Sequence, residues 1–216
     1  MNPRTQHRIL DLHWYTPASF RLRLERKGFP FKAGQNINMG IPGGGINREY
    51  TVYSGEHDDF IDILVRQVQG GSLTPRLAAL KPGDIVEVHG PYSRFMLPDP
   101  IPSGARFVFV ATGTGVAPFH SMVKTLPKLD YLLVHGVRQK DETYDAGDYP
   151  AERYLPCFTR EDAGFRGRVT DYLRAHPQGA DAWYYVCGNR AMINDLYDLL
   201  RAQGVGGDHI MTEVFF

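Results

Sequence analysis

The chain has 216 residues, with 24 Lys and Arg against 24 Asp and Glu, and 43% of its residues are apolar. This length allows one large domain or two small ones, and the apolar fraction is ordinary for a globular protein, which argues against disorder. A formal net charge of zero argues against a protein that binds nucleic acid through its phosphates. The two cysteines lie in no metal-binding spacing, the N-terminal segment has no apolar core, and no apolar run approaches about 18 residues, so we expect a soluble, cytosolic, metal-free protein.

Alternating apolar residues and frequent turn signals mark the chain up to about residue 95. Residues 20–24 place Phe and Leu on one face and Arg on the other, and residues 61–65 and 85–88 follow a similar pattern. About six short strands at this spacing predict a closed antiparallel β-barrel, which one short helix near residues 74–80 interrupts.

A proline-rich stretch at residues 98–104 separates this part from the rest, because proline fixes φ and lacks an amide donor. Continuous apolar strands then alternate with helices, which predicts a Rossmann-like parallel sheet with helices on both faces. We therefore predict a barrel domain over residues 1–98 and an α/β domain over residues 104–216. The elements predicted for the second domain are strands at 107–111, 131–135, 154–159, 183–187 and 209–215 and helices at 117–126, 169–176 and 191–202.

The segment of residues 111–118, Ala-Thr-Gly-Thr-Gly-Val-Ala-Pro, lies where a buried strand ends and a helix begins. Gly113 and Gly115 let the backbone approach a pyrophosphate, and the helix N-terminus supplies free amides and the positive end of a dipole. An ordinary tight turn is the structural alternative, and Pro118 stands where the usual dinucleotide motif has its third glycine.

Two further segments carry groups suited to phosphate and to a flat ring. On a predicted barrel strand, Arg48 can pair with phosphate, Tyr50 can stack on a ring and a neighbouring hydroxyl can bond a ring heteroatom, although an ordinary sheet strand also fits. We expect Thr74 and Pro75 to be the N-cap and first residue of the short helix, which serve either as plain caps or as a second anion site.

In this order, with Cys-Gly-Asn at 187–189 and Glu-Val-Phe-Phe at 213–216, these segments resemble the ferredoxin–NADP(+) reductase family from about Phe20 to Phe216. Residues 111–119 are close to the family's nicotinamide-nucleotide motif, and Arg-x-Tyr-Thr-x-x-Ser at 48–54 matches its flavin motif. The resemblance implies FAD held between the two domains, NADP(H) as substrate and hydride transfer between the nicotinamide C4 and the flavin N5.

Residue by residue, the resemblance implies that Arg48 pairs with the FAD pyrophosphate, that Tyr50 stacks on the isoalloxazine and that Thr51 bonds near the flavin N5. The remaining residues that it implies for cofactor and nucleotide binding are Val52, Ser54, Gly71, Ser72, Thr74, Thr112, Gly113, Thr114, Gly115, Gly188 and Asn189.

For hydride transfer, the resemblance implies Cys187 beside the nicotinamide C4 and Glu213 as the carboxylate near the C-terminus. It also implies an aromatic ring that covers the flavin, and the family's usual Glu-x-aromatic ending favours Phe215 over Phe216. The structural alternatives are a buried thiol at a strand end, a surface charge and aromatic core packing.

Arg160, with Arg166 and Arg168, is a candidate for the 2′-phosphate of NADP, and Arg138 is a further candidate for cofactor binding. Arg138 ends a segment that looks like the family's next strand end, Arg160 lies in a matching Thr-Arg-Glu segment, and Arg168 follows closely. Guanidinium groups suit a phosphate dianion, which favours NADP over NAD, although a solvated loop also fits.

The implied one-electron partner is a separate ferredoxin or flavodoxin, because the chain lacks the Cys-x4-Cys-x2-Cys spacing of an iron–sulfur domain. Both carriers are usually acidic, so a basic face is a candidate docking site and a solvated edge is the alternative. Its members are Arg21, Arg23, Arg26, Lys27 and Lys32.

Two rival functions stay open. One is a free-flavin or quinone reductase, or an NADH-dependent reductase component of an oxygenase, within the same superfamily. The other is a non-catalytic flavin-binding electron-transfer or regulatory subunit. In each case we expect a monomer that binds neither nucleic acid nor membrane.

Overall fold

A computed structural model describes residues 4–215, which divide into two compact units. The first unit runs to Leu97 and includes Ala117–Pro127, and the second consists of Pro98–Val116 and the chain from Lys128 onward. The division differs from the predicted domains mainly in the segment Ala117–Pro127, and the exact domain bounds stay a prediction.

The first unit is an antiparallel barrel. Its strands are β1 (Thr5–Thr16), β2 (Ser19–Glu25), β3 (Asn36–Gly40), β4 (Asn47–Thr51), β5 (Phe60–Arg66) and β6 (Ile85–Tyr92). Within residues 4–215 these strands pair in the order β4-β3-β6-β1-β2-β5, and a bridge between Val52 and Ile63 joins the two ends. Alternation along β2 buries Phe20, Leu22 and Leu24 completely in the barrel core, so the predicted barrel is confirmed.

The short helix α1 (Thr74–Ala78) begins as predicted, but Thr74 is not its N-cap. Leu73 occupies that position without a side-chain cap, and the Thr74 hydroxyl accepts a hydrogen bond from the Val68 amide at 2.9 Å. The turn that Gly71 closes onto the Val68 carbonyl brings that amide within reach. The N-cap prediction was therefore wrong, because a neighbouring turn claims the hydroxyl.

The second unit contains a parallel sheet. Its strands are β7 (Phe107–Thr112), β8 (Tyr131–Val137), β9 (Tyr154–Phe158), β10 (Phe165–Arg166), β11 (Trp183–Gly188) and β12 (Ile210–Val214), with helices α3 (Val169–Ala175) and α4 (Arg190–Ala202). In the described part of the chain the order is β10-β9-β8-β7-β11-β12, and every pair is parallel. The chain moves outward from β7 on one side and then on the other, so the switch point where such folds bind ligands lies at the end of β7.

Helix α2 (Ala117–Thr125) packs on the barrel, which places it in the first unit. The His120 ring stacks on Tyr53 with 3.8 Å between ring centroids, and the Ser121 hydroxyl donates to the Ser54 carbonyl at 2.6 Å. Tyr197 on α4 is 42% exposed, so it lies outside the buried face of that helix. Between Arg4 and Phe215, no helix is long and apolar enough to span a membrane.

Ion pairs neutralise the basic outer face of β2. The Arg23 guanidinium makes two 2.8 Å hydrogen bonds to the Asp62 carboxylate on β5, and Arg21 pairs with Asp11 and Asp62. Register explains the contact, because Arg23 lies opposite Asp62 in the β2–β5 ladder. The other basic residues of the predicted docking face also have partners: Arg26 with the Glu56 and Asp58 carbonyls, Lys27 with Glu25, and Lys32 with Glu56.

We expect Asp62→Asn to lower the free energy of unfolding by about 1–3 kcal/mol, because Arg23 loses its carboxylate partner and Arg21 keeps only Asp11. The loss could be as small as about 1 kcal/mol for two reasons. Burial is the largest influence on the pKa of Asp62 and raises it, so the charged carboxylate already carries a desolvation cost, and the Arg23 side chain is 29% exposed to water. Urea unfolding measures the change. The matched control is Asp162→Asn, which breaks an exposed ion pair with Arg166 and should cost less than about 1 kcal/mol. Equal losses in the two variants would contradict the prediction.

Candidate functional site

The loop after β7 is a tight 3-10 turn over Gly113–Val116 that contacts the end of β11. Gly113 has a φ of +52°, in the left-handed region that glycine adopts at little cost. A β-carbon on Gly115 would lie 2.5 Å from the Cys187 carbonyl oxygen, so no larger residue fits there without a shift. Backbone packing is thus one reason for glycine at this position, beside the predicted approach of a pyrophosphate.

Cys187 and Glu213 lie opposite each other on the parallel strands β11 and β12. The Cys187 Sγ is 4.0 Å from the Glu213 Oε2, and the thiol is completely buried. Burial, and secondarily the Glu213 charge, raises the pKa of the Cys187 thiol well above its usual value. Cys187 therefore carries a neutral S–H beside a carboxylate, and it is not a thiolate nucleophile.

The residues after Cys187 contact Thr112 at the end of β7 and begin α4. Gly188 has a φ of +152°, and a β-carbon there would overlap the Thr112 hydroxyl. The Asn189 side chain accepts from the Met192 amide at 2.9 Å, so Asn189 is the N-cap of α4. The Phe215 amide donates to the Gly188 carbonyl at 2.8 Å, and Phe215 is half-buried. Phe216 lies outside the described residues.

His135 is part of this site, and the sequence reasoning missed it. Its Nε2 lies 2.9 Å from the Gly113 carbonyl, and its Nδ1 lies 2.9 Å from the Tyr154 hydroxyl. A carbonyl can only accept, so Nε2 carries the proton and Nδ1 accepts from Tyr154. Burial lowers the pKa of His135 to about 4. The available signal was its position: a histidine near the carboxyl end of the strand next to β7.

The low pKa of His135 predicts a pH dependence of stability. Between pH 6.5 and about 4 the unfolded chain binds a proton at His135 that the folded chain excludes. The free energy of unfolding therefore falls as the pH falls through this range, and the contribution of the neutral His135 to stability is fully present above pH 6.5. At about 1.4 kcal/mol per pH unit, the loss from pH 7 to pH 4.5 is roughly 2–3 kcal/mol. Urea unfolding of the wild type and of His135→Gln at both pH values measures this loss as the difference between the two proteins. His7, whose pKa is also lowered, contributes equally to both and cancels. Parallel pH profiles would contradict the prediction.

Arg138, Arg160 and Arg168 are all exposed. Arg138 follows β8 and Arg160 follows β9, whereas Arg168 follows β10 and is the N-cap residue of α3. The Arg160 amide donates to the Arg138 carbonyl at 3.0 Å, which places these two residues side by side. Within residues 4–215 no ion pair holds Arg138 or Arg160. The nearby Glu142 and Glu161 carboxylates accept the Arg138 and Lys140 backbone amides at 2.8 and 2.6 Å.

The predicted flavin motif lies along β4 and just beyond it, in the first unit. Arg48 is exposed, Tyr50 is half-buried, and Thr51, Val52 and Ser54 are buried. Ser54 is structural in part, because its hydroxyl accepts from the Asp62 amide and donates to the Phe60 carbonyl. The Tyr50 hydroxyl oxygen is buried and makes no hydrogen bond to any residue that the structure describes, and burial raises the pKa of Tyr50 to about 12.

The predicted second phosphate segment precedes α1. Gly71 is half-buried and its amide bonds the Val68 carbonyl at 2.9 Å, whereas Ser72 is exposed. The Thr74 hydroxyl is engaged by Val68, as described above. The roles of these three residues toward phosphate stay predictions.

Comparison with known proteins assigns a family domain to each part of the chain. Residues 15–97 match the oxidoreductase FAD-binding domain family, and residues 109–198 match the oxidoreductase NAD-binding domain family. Together these matches cover most of the barrel and most of the parallel sheet.

Three individual proteins illustrate the similarity. The chain is 28% identical to a ferredoxin–NADP reductase of Pseudomonas aeruginosa, and the match covers 96% of each chain. It is 33% identical to the reductase subunit of an aromatic O-demethylase of an Amycolatopsis species, but it spans only 54% of that protein. A crystal structure of a ferredoxin NADP+ reductase from Neisseria gonorrhoeae with bound FAD and NADP matches with a TM-score of 0.90 and 26% identity, over 99% of both chains.

Proposed function

Because the chain belongs to the ferredoxin–NADP(+) reductase family of FAD-containing oxidoreductases, we propose that it transfers hydride between NADP(H) and FAD. We also propose that it exchanges single electrons with a separate ferredoxin or flavodoxin. The observation that carries this proposal is the convergence of the Gly113–Val116 turn, Cys187 and Glu213 at the carboxyl ends of β7, β11 and β12.

The residues of β4 fit a bound flavin. The Tyr50 hydroxyl is a buried polar atom without a hydrogen-bond partner among residues 4–215, and an unsatisfied buried hydroxyl costs about 1–3 kcal/mol. A polar ligand against Tyr50 removes this cost, and the nearby exposed Arg48 provides a cation for its pyrophosphate. These residues would hold the FAD, with Thr51 beside N5.

Bound FAD supplies the redox chemistry, and the protein's own residues position the reactants and exclude water. The neutral Cys187 thiol is completely buried here, and it would give the nicotinamide an uncharged, polarisable surface once the residues that cover it move. Glu213 lies next to it in register, and its carboxylate would accept a hydrogen bond from the nicotinamide amide. Phe215 is the proposed ring that covers the flavin and yields to the nicotinamide.

The visible spectrum of the purified protein, recorded before and after addition of NADPH, tests the proposed function. We expect the absorbance of an oxidised flavin, which NADPH bleaches. A colourless protein that also fails to take up FAD would exclude the function. Assays with ferricyanide and then with a ferredoxin or flavodoxin identify the electron carrier.

We expect Cys187→Ala to slow flavin reduction by NADPH by about 10-fold or more, because the nicotinamide loses the surface that holds its C4 in place, whereas NADP+ binding changes little. Stopped-flow absorbance measures the rate, and titration with NADP+ measures binding. The matched control is Cys157→Ala, since Cys157 is also a buried thiol but lies on β9. An unchanged reduction rate in Cys187→Ala removes this residue from the mechanism.

The unpaired arginines favour NADP(H) as the substrate. Removal of one charged hydrogen-bond donor costs about 1.5–3 kcal/mol, so Arg138→Ala and Arg160→Ala should each raise the KM for NADPH by roughly 10- to 100-fold and leave the KM for NADH unchanged. Arg174→Ala is the control, because Arg174 pairs with Asp171 on α3. An equal rise for NADPH and NADH would show that these arginines do not read the 2′-phosphate.

The second candidate function is an NADH-dependent reductase component of an oxygenase. The similarity to an O-demethylase reductase subunit favours it, whereas the side-by-side Arg138 and Arg160 favour NADP(H). The ratio of kcat/KM for NADPH and NADH separates the two, because a preference for NADH supports the oxygenase component.

A further inference from the structure

His135 connects two strands of the parallel sheet beneath the nucleotide loop. Its ring receives a hydrogen bond from the Tyr154 hydroxyl at the start of β9 and donates one to the Gly113 carbonyl after β7. In the proposed mechanism neither His135 nor Tyr154 touches a substrate. Their hydrogen bonds nevertheless end on the residue that opens the Gly113–Val116 turn.

The Gly113 carbonyl belongs to the same peptide group as the Thr114 amide. This peptide is trans, so its C=O and N–H bonds point in opposite directions. Because His135 holds the carbonyl, the Thr114 N–H points away from the His135 ring, and Thr114 itself is half-buried. Amides oriented in this way form the anion sites of tight turns before helices.

We propose that His135 is a positioning residue that orients the Gly113–Thr114 peptide toward the pyrophosphate of the nicotinamide nucleotide. This proposal rests on the proposed function, because it needs a dinucleotide at the turn. The Gly113 carbonyl fixes the tautomer, because it can only accept and therefore keeps the proton on Nε2, and the Tyr154 hydroxyl donates to the free Nδ1.

The surroundings of His135 keep it neutral over the physiological range. The ring is completely buried, and its neighbours in register on β7 and β9 are Ala111 and Pro156, which bear no ionisable group. The titratable side chains that face it are the phenols of Tyr144 and Tyr154. The histidine therefore acts as a fixed donor and acceptor, and it does not switch with pH near neutrality.

The tautomer gives a direct spectroscopic test. In ¹⁵N-labelled protein with FAD bound, we expect the His135 ring at pH 7 to show the pattern of a neutral imidazole protonated at Nε2. Tyr154→Phe removes the donor to Nδ1 but keeps the Gly113 carbonyl, so the ring of that variant should stay protonated at Nε2 while its Nδ1 resonance moves. A wild-type ring that is protonated at Nδ1, or at both nitrogens, would overturn the proposal.

The binding of two different nucleotides distinguishes a positioning role of His135 from a general structural role. NADP+ carries a pyrophosphate and a 2′-phosphate, whereas adenosine 2′-monophosphate carries only the latter. Loss of one hydrogen bond that orients the turn should weaken NADP+ binding to His135→Leu by about 10-fold in calorimetric titration. Binding of adenosine 2′-monophosphate should stay within about twofold of wild type.

His135→Gln provides the rescue, because its amide can donate to the Gly113 carbonyl and accept from Tyr154, and it should recover most of the NADP+ affinity. If His135→Leu does not fold, Tyr154→Phe takes its place with an expected loss of about threefold for NADP+ alone. Equal weakening of both nucleotides, or weakening of neither, would overturn the proposal. A wild-type protein that binds neither nucleotide would instead refute the proposed function.

Discussion

The close approach of Gly115 to the Cys187 carbonyl is the constraint on which the rest of the site depends. Strands β7 and β11 are parallel neighbours, so their carboxyl ends meet at one edge of the sheet. The turn Gly113–Val116 packs directly on that edge, so it has no room for a β-carbon at position 115. It begins at Gly113, whose backbone has a left-handed conformation. The same edge brings Glu213 beside Cys187, because β12 continues the parallel register by one strand.

Hydrogen bonds from neighbouring strands hold this turn from below. The Gly113 carbonyl accepts a hydrogen bond from His135 on β8, and the Thr112 hydroxyl lies 3.4 Å from the Asn189 amide after β11. Buried backbone groups need partners, and here each partner comes from a different strand end. The site is thus built on rigid elements, which suits chemistry that needs the reactants within a narrow range of distance and orientation.

Patterns of period two and continuous apolar runs predicted the barrel strands and the central strands of the sheet from sequence, because burial on one or both faces fixes such patterns. Contacts between distant segments were not predictable in the same way. Nothing local reveals that Asp62 lies opposite Arg23, that Val68 claims the Thr74 hydroxyl, or that His120 stacks on Tyr53. His135 was missed for this reason: its role depends on a carbonyl 22 residues away.

The same limit explains why equal residue types have unequal roles. Arg21 and Arg23 form a basic stripe in the sequence, but strand register places Asp62 opposite Arg23 and within reach of Arg21, so both arginines stabilise the barrel. Arg138 and Arg160 look less distinctive, and acids that include Glu142 and Glu161 follow them closely. In the structure those two carboxylates accept the backbone amides of Arg138 and Lys140, and neither arginine has an ion pair in the described chain. An arginine is available to a ligand when the nearby carboxylates are already engaged, and only the fold decides which carboxylates those are.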